Sequence, residues 1–230
     1  MRYLGLFAYQ PNNSTRQFEY PWAYSKIAEH CAAQGGRPLR VVDIGGSLGG
    51  LQWVLARDGH DVINIDPGGV EARELGWDVN SANHRDLCRA FGVPVLLIPK
   101  TLAQADLETA STDVLLSVST LEHFTPSDLS EFSAHATRIL RPGGVAVLTV
   151  DLFLDLKPFT AADHNMYGTN VDMRALLDRC GLTLREGNRT ELFGFPEFSA
   201  SRVLQNTTQY MVGKGYPALA QCLVAHCTAG

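Results

Sequence analysis

The hydrophobic positions along this chain follow two patterns in turn, one typical of buried strands and one typical of amphipathic helices. Short, continuous apolar runs recur, and such runs are typical of strands that are buried on both faces of a parallel sheet. They predict strands at residues 39–44, 61–65, 95–98, 113–119 and 145–150, with shorter strands at 182–185 and 209–212.

Between these runs, apolar residues recur with the three- and four-residue spacing of amphipathic helices. This spacing predicts helices at residues 21–34, 48–59 and 83–91. Thr125 and Asn170 are predicted to cap two later helices, because their side chains can accept hydrogen bonds from backbone N–H groups at a helix start.

Strands that alternate with helices predict an α/β fold. We expect a three-layer sandwich, in which a seven-stranded, mostly parallel sheet is covered by helices on both faces. Ligands of such sheets lie beyond the carboxyl ends of the strands. Residues that directly follow a strand are therefore the first candidates for chemistry.

Composition narrows the range of functions. The chain has 230 residues, of which 45% are hydrophobic and 19% are charged, and this fits one domain over residues 1–230. The net charge of −5 and the lack of a basic run make a nucleic-acid partner unexpected. Five scattered cysteines, no apolar run of membrane-spanning length and no signal-peptide pattern predict a cytoplasmic protein.

A glycine-rich loop follows the first predicted strand. It comprises Gly45, Gly46, Ser47 and Gly49, and Asp43 precedes it. Glycines allow a tight turn and a close approach of the backbone to a ligand, and the following helix offers free N–H groups. Asp66 ends the second strand, where a carboxylate can accept hydrogen bonds from both hydroxyls of a ribose.

Two cofactor classes use this geometry. A dinucleotide-binding loop would require a glycine where Ser47 stands, and it does not usually carry an acid at the position of Asp43. The acid-x-Gly-x-Gly-x-Gly pattern instead resembles the first motif of the class I S-adenosylmethionine-dependent methyltransferases, with Ser47 replacing the middle glycine. Residues 113–124 and 140–144 resemble the family's fourth strand and the turn before its fifth strand.

This resemblance implies a Rossmann-like fold, with S-adenosylmethionine as cofactor and S-adenosylhomocysteine as product. It divides the domain into an N-terminal helix region (1–37), a cofactor-binding core (38–150) and a substrate-side and C-terminal region (151–230). Asp43 and the glycine loop would hold the methionine end, and Asp66 the ribose. The further cofactor contacts that we expect are the adenine-binding backbone of Thr101 and Leu102 and the fourth-strand residues Ser117 and Ser119.

The candidates for methyl-transfer chemistry follow the fourth and fifth strands. His123 is predicted to lie beside the transferred methyl group, either as a general base or as a residue that shapes the pocket. Asp151, His164 and Tyr167 are candidates to contact the substrate or take its proton, the alternative being loop hydrogen bonding or capping. Glu122 is predicted to be solvated or hydrogen-bonded at a helix start. No metal is expected.

The aromatic segment at residues 18–24 is predicted to clasp the sheet edge or to cover the ligand. The chain lacks the Asp/Asn-Pro-Pro-Tyr motif of adenine and glutamine methylation and the Pro-Cys nucleophile of cytosine methylation. We therefore expect methylation of an O, N or C atom of a small molecule, with natural-product tailoring as a candidate role. The alternatives are an NAD(P)-dependent oxidoreductase and a non-catalytic partner-binding protein.

Overall fold

The computed structural model describes residues 14–68, 79–207 and 216–227. Within these residues, one sheet contains seven strands in the order β3-β2-β1-β4-β5-β7-β6. The strands are β1 (Arg40–Ile44), β2 (Asp61–Ile65), β3 (Leu96–Ile98), β4 (Thr112–Val118), β5 (Leu140–Phe153), β6 (Leu182–Glu186) and β7 (Ala218–Cys227). β7 runs antiparallel to both of its neighbours, whereas β1 to β5 pair in parallel. The predicted α/β fold with a mostly parallel, seven-stranded sheet is confirmed.

Helices cover both faces of this sheet. They are α1 (Ser14–Ala33), α2 (Gly50–Arg57), α3 (Ser81–Phe91), α4 (Pro126–Ile139), α5 (Met173–Cys180) and α6 (Ala200–Gln205). Two buried apolar clusters fill the space between the sheet and the helices on its two faces. One cluster joins α4 and α5 to the sheet through residues such as Phe132 and Leu176. The other joins α1 and α2 to the opposite face through residues such as Ile27 and Leu55.

The start of the first helix and the cap of a later one differ from the sequence prediction. α1 begins at Ser14 rather than at 21, so that the whole aromatic segment 18–24, including Pro21, lies inside the helix. α5 is capped by Asp172, whose side chain accepts a hydrogen bond from Ala175 N at 2.8 Å. Asn170 was the wrong cap, because its amide instead pairs with both backbone groups of Phe153.

The cap of α4 was predicted correctly. Thr125 accepts a hydrogen bond from Asp128 N, and the Asp128 side chain accepts one from Thr125 N in return. The predicted strand at 209–212 lies outside the described residues, and the strand that completes the sheet is β7. In the part of the chain that the structure describes, no helix is both long enough and apolar enough to cross a bilayer.

Candidate active site

The glycine loop after β1 is shaped by close contacts that exclude side chains. Gly45 has a φ of +69°, and a Cβ there would lie 2.3 Å from the Thr120 side chain. A Cβ on Gly46 would lie 2.5 Å from Asp43 Oδ2. Ser47, at the place of the motif's middle glycine, adopts a left-handed φ of +45°. This conformation is unfavourable for a residue with a Cβ, which explains why glycine suits the position.

The buried side-chain amides of Gln52 and Asn64 hold the glycine loop in place by hydrogen bonds. Gln52 of α2 donates hydrogen bonds to the carbonyls of Gly46, Ser47 and Gly49 at 3.0–3.2 Å. Asn64 of β2 donates to Ser47 O at 2.8 Å and to Gln52 Oε1 at 3.1 Å. Because the amides occupy loop carbonyls, the loop is fixed before any ligand binds.

Two carboxyl groups face each other across the loop. Asp66 Oδ2 accepts a hydrogen bond from Ser47 N at 2.9 Å, and its Oδ1 accepts one from Gly68 N at 2.8 Å. Asp43 is 5% exposed. Burial, with a smaller contribution from the Asp66 charge, raises the pKa of Asp43 to about 7, although the nearby Arg16 guanidinium lowers it.

A cavity of about 660 Å³ opens at the carboxyl ends of β1 to β4. It runs from the glycine loop to a loop at residues 165–168. Most of the residues predicted from the sequence line it, namely Asp43, Gly45, Gly46, Ser47, Gly49, Asp66, Thr101, Leu102, Ser119, His123 and Tyr167. The predicted cofactor and substrate residues are thus brought to one continuous space.

Three predicted site residues do not line this cavity. Ser117 is fully buried within β4, and its hydroxyl donates to Ile44 O at 3.4 Å. Asp151 is fully buried in β5, where its Oδ2 accepts a hydrogen bond from the Tyr216 hydroxyl at 2.5 Å. His164 is exposed on the loop after β5. Direct contact of these side chains with a ligand in the cavity is therefore not supported.

Sequence reasoning missed the contribution of α1. Arg16 and Tyr20 line the cavity beside the glycine loop, and Glu19 is fully buried. Glu19 Oε1 accepts hydrogen bonds from the hydroxyls of Ser119 at 2.7 Å and Thr149 at 2.6 Å, while its Oε2 pairs with Arg16 at 2.8 Å. The three-residue spacing of Arg16 and Glu19 was the available signal, but the predicted start of the helix at 21 excluded both.

A second buried acidic pair lies behind the cavity wall. Glu122 is 1% exposed, and its carboxyl group interacts with that of the buried Asp151. Glu122 does stand at a helix start, but it is not solvated, because the short 3₁₀ helix Leu121–His123 turns its side chain inward. Burial and the neighbouring Asp151 raise the pKa of Glu122 well above its usual range, and burial also raises the pKa of Asp151 to about 6.

The lining of the cavity is compatible with the amino-acid moiety and the ribose of S-adenosylmethionine. The loop at Gly45 and Gly46 leaves no room for a Cβ and so presents bare backbone, and Asp66 presents two carboxylate oxygens. Arg16 and Asp43 supply opposite charges at the glycine-loop end, as an amino-acid moiety requires. The geometry defines an α/β enzyme with a site for a nucleoside cofactor.

Comparisons with known proteins agree with this definition. A family model described as a methyltransferase domain matches residues 42–148. The chain is 32% identical over 184 residues to a ubiquinone biosynthesis O-methyltransferase of Paramagnetospirillum magneticum, covering 70% of this chain and 69% of that protein.

Solved structures share the fold. A 1,6-didemethyltoxoflavin-N1-methyltransferase of Burkholderia thailandensis, with S-adenosylhomocysteine bound, has a TM-score of 0.58 at 19% identity, covering 94% of this chain and 84% of its own. A magnesium protoporphyrin IX methyltransferase of Synechocystis has a TM-score of 0.56 at 16% identity, covering 91% and 79%. The chain belongs to the class I S-adenosylmethionine-dependent methyltransferases. Its cofactor is therefore S-adenosylmethionine, and the nicotinamide-dependent alternative is set aside.

Proposed function

We propose that this methyltransferase acts on a hydroxyl oxygen of a small molecule. The observation that carries the proposal is the continuity of the cavity, which joins the cofactor end at the glycine loop to an acceptor end at His123 and Tyr167. The 32% identical relative, which is named as an O-methyltransferase, supports oxygen as the methylated atom. The net charge of −5 supports a small acceptor rather than a polynucleotide.

The cofactor contacts that we propose follow from the lining residues. Asp66 lines the cavity where β2 ends and accepts hydrogen bonds from both ribose hydroxyls, since a carboxylate has two oxygens and each can accept more than one hydrogen bond. The backbone of Thr101 and Leu102 contacts the adenine. Arg16 pairs with the carboxylate of the amino-acid moiety, and Asp43 with its ammonium group.

At the acceptor end, His123 takes the proton of the acceptor hydroxyl as its oxygen forms the new bond to carbon. When bound, S-adenosylmethionine would supply the electrophilic methyl group, whose bond to sulfur breaks with the electron pair staying on sulfur, so that S-adenosylhomocysteine is the leaving group. A positioned imidazole contributes about 100- to 10,000-fold to such a proton transfer. Tyr167, which lines the same end, packs against the acceptor.

The cofactor assignment is tested by calorimetric titration with S-adenosylhomocysteine, NAD and NADP. We expect binding of S-adenosylhomocysteine alone. Asp66→Ala should weaken that binding about 100-fold or more, because two charge-assisted hydrogen bonds to the ribose are lost. Asp61→Ala, which removes an exposed carboxylate at the start of the same strand, should bind as tightly as wild type. Equal affinities of the two variants would place the ribose elsewhere.

The acceptor assignment is tested with S-adenosylmethionine that carries a ¹³C-labelled methyl group and a panel of small alcohols, phenols and amines. We expect a methoxy carbon resonance in the product spectrum. His123→Ala should lower kcat at least 100-fold with little change in affinity for S-adenosylhomocysteine. His164→Ala, outside the cavity, is the matched control. N-methyl products alone would refute oxygen as the acceptor atom, and equal losses of kcat and cofactor affinity in His123→Ala would make His123 a pocket residue.

A further inference from the structure

The imidazole of His123 is held by the loop at residues 165–168, which lines the same end of the cavity. His123 ends the short 3₁₀ helix after β4, and its Nδ1 forms a hydrogen bond with the backbone carbonyl of Tyr167. Thr169 N donates to Glu122 O at 2.9 Å, so the same loop also holds the backbone next to His123. We call residues 165–169 the clamp loop.

Gly168 allows the clamp loop to approach this closely. A Cβ on Gly168 would lie 2.1 Å from Glu122 O and 3.4 Å from the His123 Cα. Any side chain there would push the loop away from the 3₁₀ helix. The contact between the Tyr167 carbonyl and the His123 imidazole thus depends on Gly168, which lies three residues after Asn165.

That asparagine gives the clamp loop its shape. Asn165 Oδ1 accepts hydrogen bonds from Tyr167 N at 2.8 Å and Gly168 N at 3.1 Å, and Asn165 N donates to Gly168 O at 3.0 Å. Its Nδ2 donates to both oxygens of Asp155 at 3.1 and 3.2 Å, which ties the loop to the segment after β5. Asp155 does not line the cavity.

The Tyr167 ring anchors the loop from its other side. Its centroid lies 4.8 Å from that of Tyr216 in an edge-to-face arrangement and 6.3 Å from that of Phe153. Tyr216 in turn donates its hydroxyl hydrogen to the buried Asp151. The carbonyl that faces His123 therefore belongs to a residue whose ring and backbone are both fixed.

We infer that the clamp loop selects the tautomer of His123, and that Asp155, Asn165 and Gly168 are positioning residues for this imidazole. A carbonyl oxygen only accepts hydrogen bonds, so the nitrogen that faces it must carry the proton. In the neutral ring the lone pair then lies on Nε2. The clamp loop thus presets His123 as a base that receives the acceptor proton at Nε2.

This inference rests on the proposed role of His123 as a base, but the tautomer can be measured without any acceptor. Protein with ¹⁵N-labelled histidine is examined by long-range ¹H–¹⁵N correlation at a pH where the ring is neutral. His123→Gln identifies the His123 resonances by their disappearance. We expect the pattern of a ring protonated at Nδ1, and a ring protonated at Nε2 would overturn the inference.

Variants of the positioning residues test the cause. Gly168→Ala should move His123 toward the other tautomer and lower kcat by up to about 100-fold, with unchanged affinity for S-adenosylhomocysteine, because a small misplacement of a reacting group is costly. Gly143→Ala is the control, since this glycine also has a positive φ but nothing lies within 4 Å of its added Cβ. It lies near the start of β5, at the opposite end of that strand from Phe153.

Substitutions of Asp155 provide a second test, because, unlike Gly168→Ala, they add no atoms next to the 3₁₀ helix. Asp155→Ala should shift the tautomer in the same direction, and Asp155→Asn should restore it in part through its remaining acceptor oxygen. If Gly168→Ala and Asp155→Ala both keep the Nδ1-protonated ring, the clamp loop does not select the tautomer. If the tautomer responds as expected but no methoxy product forms with any acceptor, the inference stands and the proposed acceptor chemistry fails.

Discussion

Asp43 is a buried carboxyl group whose protonation should respond to the cofactor. With a pKa of about 7 it holds a proton in about half of the molecules at neutral pH. The ammonium group that we place beside it favours the ionised carboxylate, so binding should lower its pKa. Cofactor binding and proton release are then linked at this residue.

We predict that binding of S-adenosylhomocysteine releases about half a proton at pH 7, close to one at pH 6 and almost none at pH 9. Calorimetry in buffers that differ in ionisation enthalpy measures this number directly. Asp43→Asn should abolish the release, whereas Asp58→Asn, which removes an exposed carboxylate at the end of α2, should preserve it. A release of protons that is independent of pH and of Asp43 would contradict the placement of the ammonium group.

At the scale of single residues, the sequence predicted the site residues that lie close together along the chain. Asp43, the glycine loop and Asp66 lie within one strand-turn-helix-strand segment, so their spacing alone brings them together. Glu19 could not be found in this way. Its partners Ser119 and Thr149 are 100 and 130 residues distant along the chain, and only the folded sheet brings them to one point.

At the scale of elements, α1 is attached to the sheet by a polar contact as well as by its apolar face. Glu19 accepts hydrogen bonds from residues after β4 and within β5, and Arg16 also donates weakly to Ser119 O at 3.4 Å. Pro21 made the first two turns of this helix difficult to predict, because proline is common at helix starts and rare inside helices. The buried contacts of Glu19 stabilise those turns despite the proline.

We predict that Glu19→Ala lowers the free energy of unfolding by about 3–5 kcal/mol, because it leaves two buried hydroxyls and a guanidinium group without their acceptor. Hydrogen exchange of amides in α1 should become faster than in wild type. Glu29→Ala is the control on the same helix, since the Glu29 side chain is 62% exposed and pairs with Lys26 at the surface. If α1 amides in Glu19→Ala exchanged as slowly as in Glu29→Ala, the polar contact would not hold the helix.

At the scale of the whole molecule, two kinds of buried titratable groups limit stability at opposite ends of the pH range. Burial raises the pKa of Asp43, Glu122 and Asp151, so the unfolded chain loses these protons more readily and stability falls as pH rises from about 4 to above 7. Burial lowers the pKa of His30 and His84, so stability is lost as pH falls below about 6.5.

We predict that the Tm without ligand falls as pH rises from about 6.5 to 8.5. Glu122→Gln should flatten the fall on the alkaline side, because it removes a carboxyl group that stays protonated in the folded chain and ionises on unfolding. Glu108→Gln, which alters an exposed carboxylate, should leave the profile unchanged. Thermal scans across this pH range test the prediction, and a Tm that rises steadily to pH 8.5 would contradict it.

The order of the strands also has a consequence for how the protein is made. β7 is the last described strand along the chain, yet it lies between β5 and β6, and among the described strands β6 pairs with β7 alone. A nascent chain that has emerged from the ribosome as far as β6 therefore presents an unpaired, apolar edge at β5. Such an edge is prone to aggregation. We expect premature termination before residue 218 to yield a chaperone client rather than a smaller enzyme.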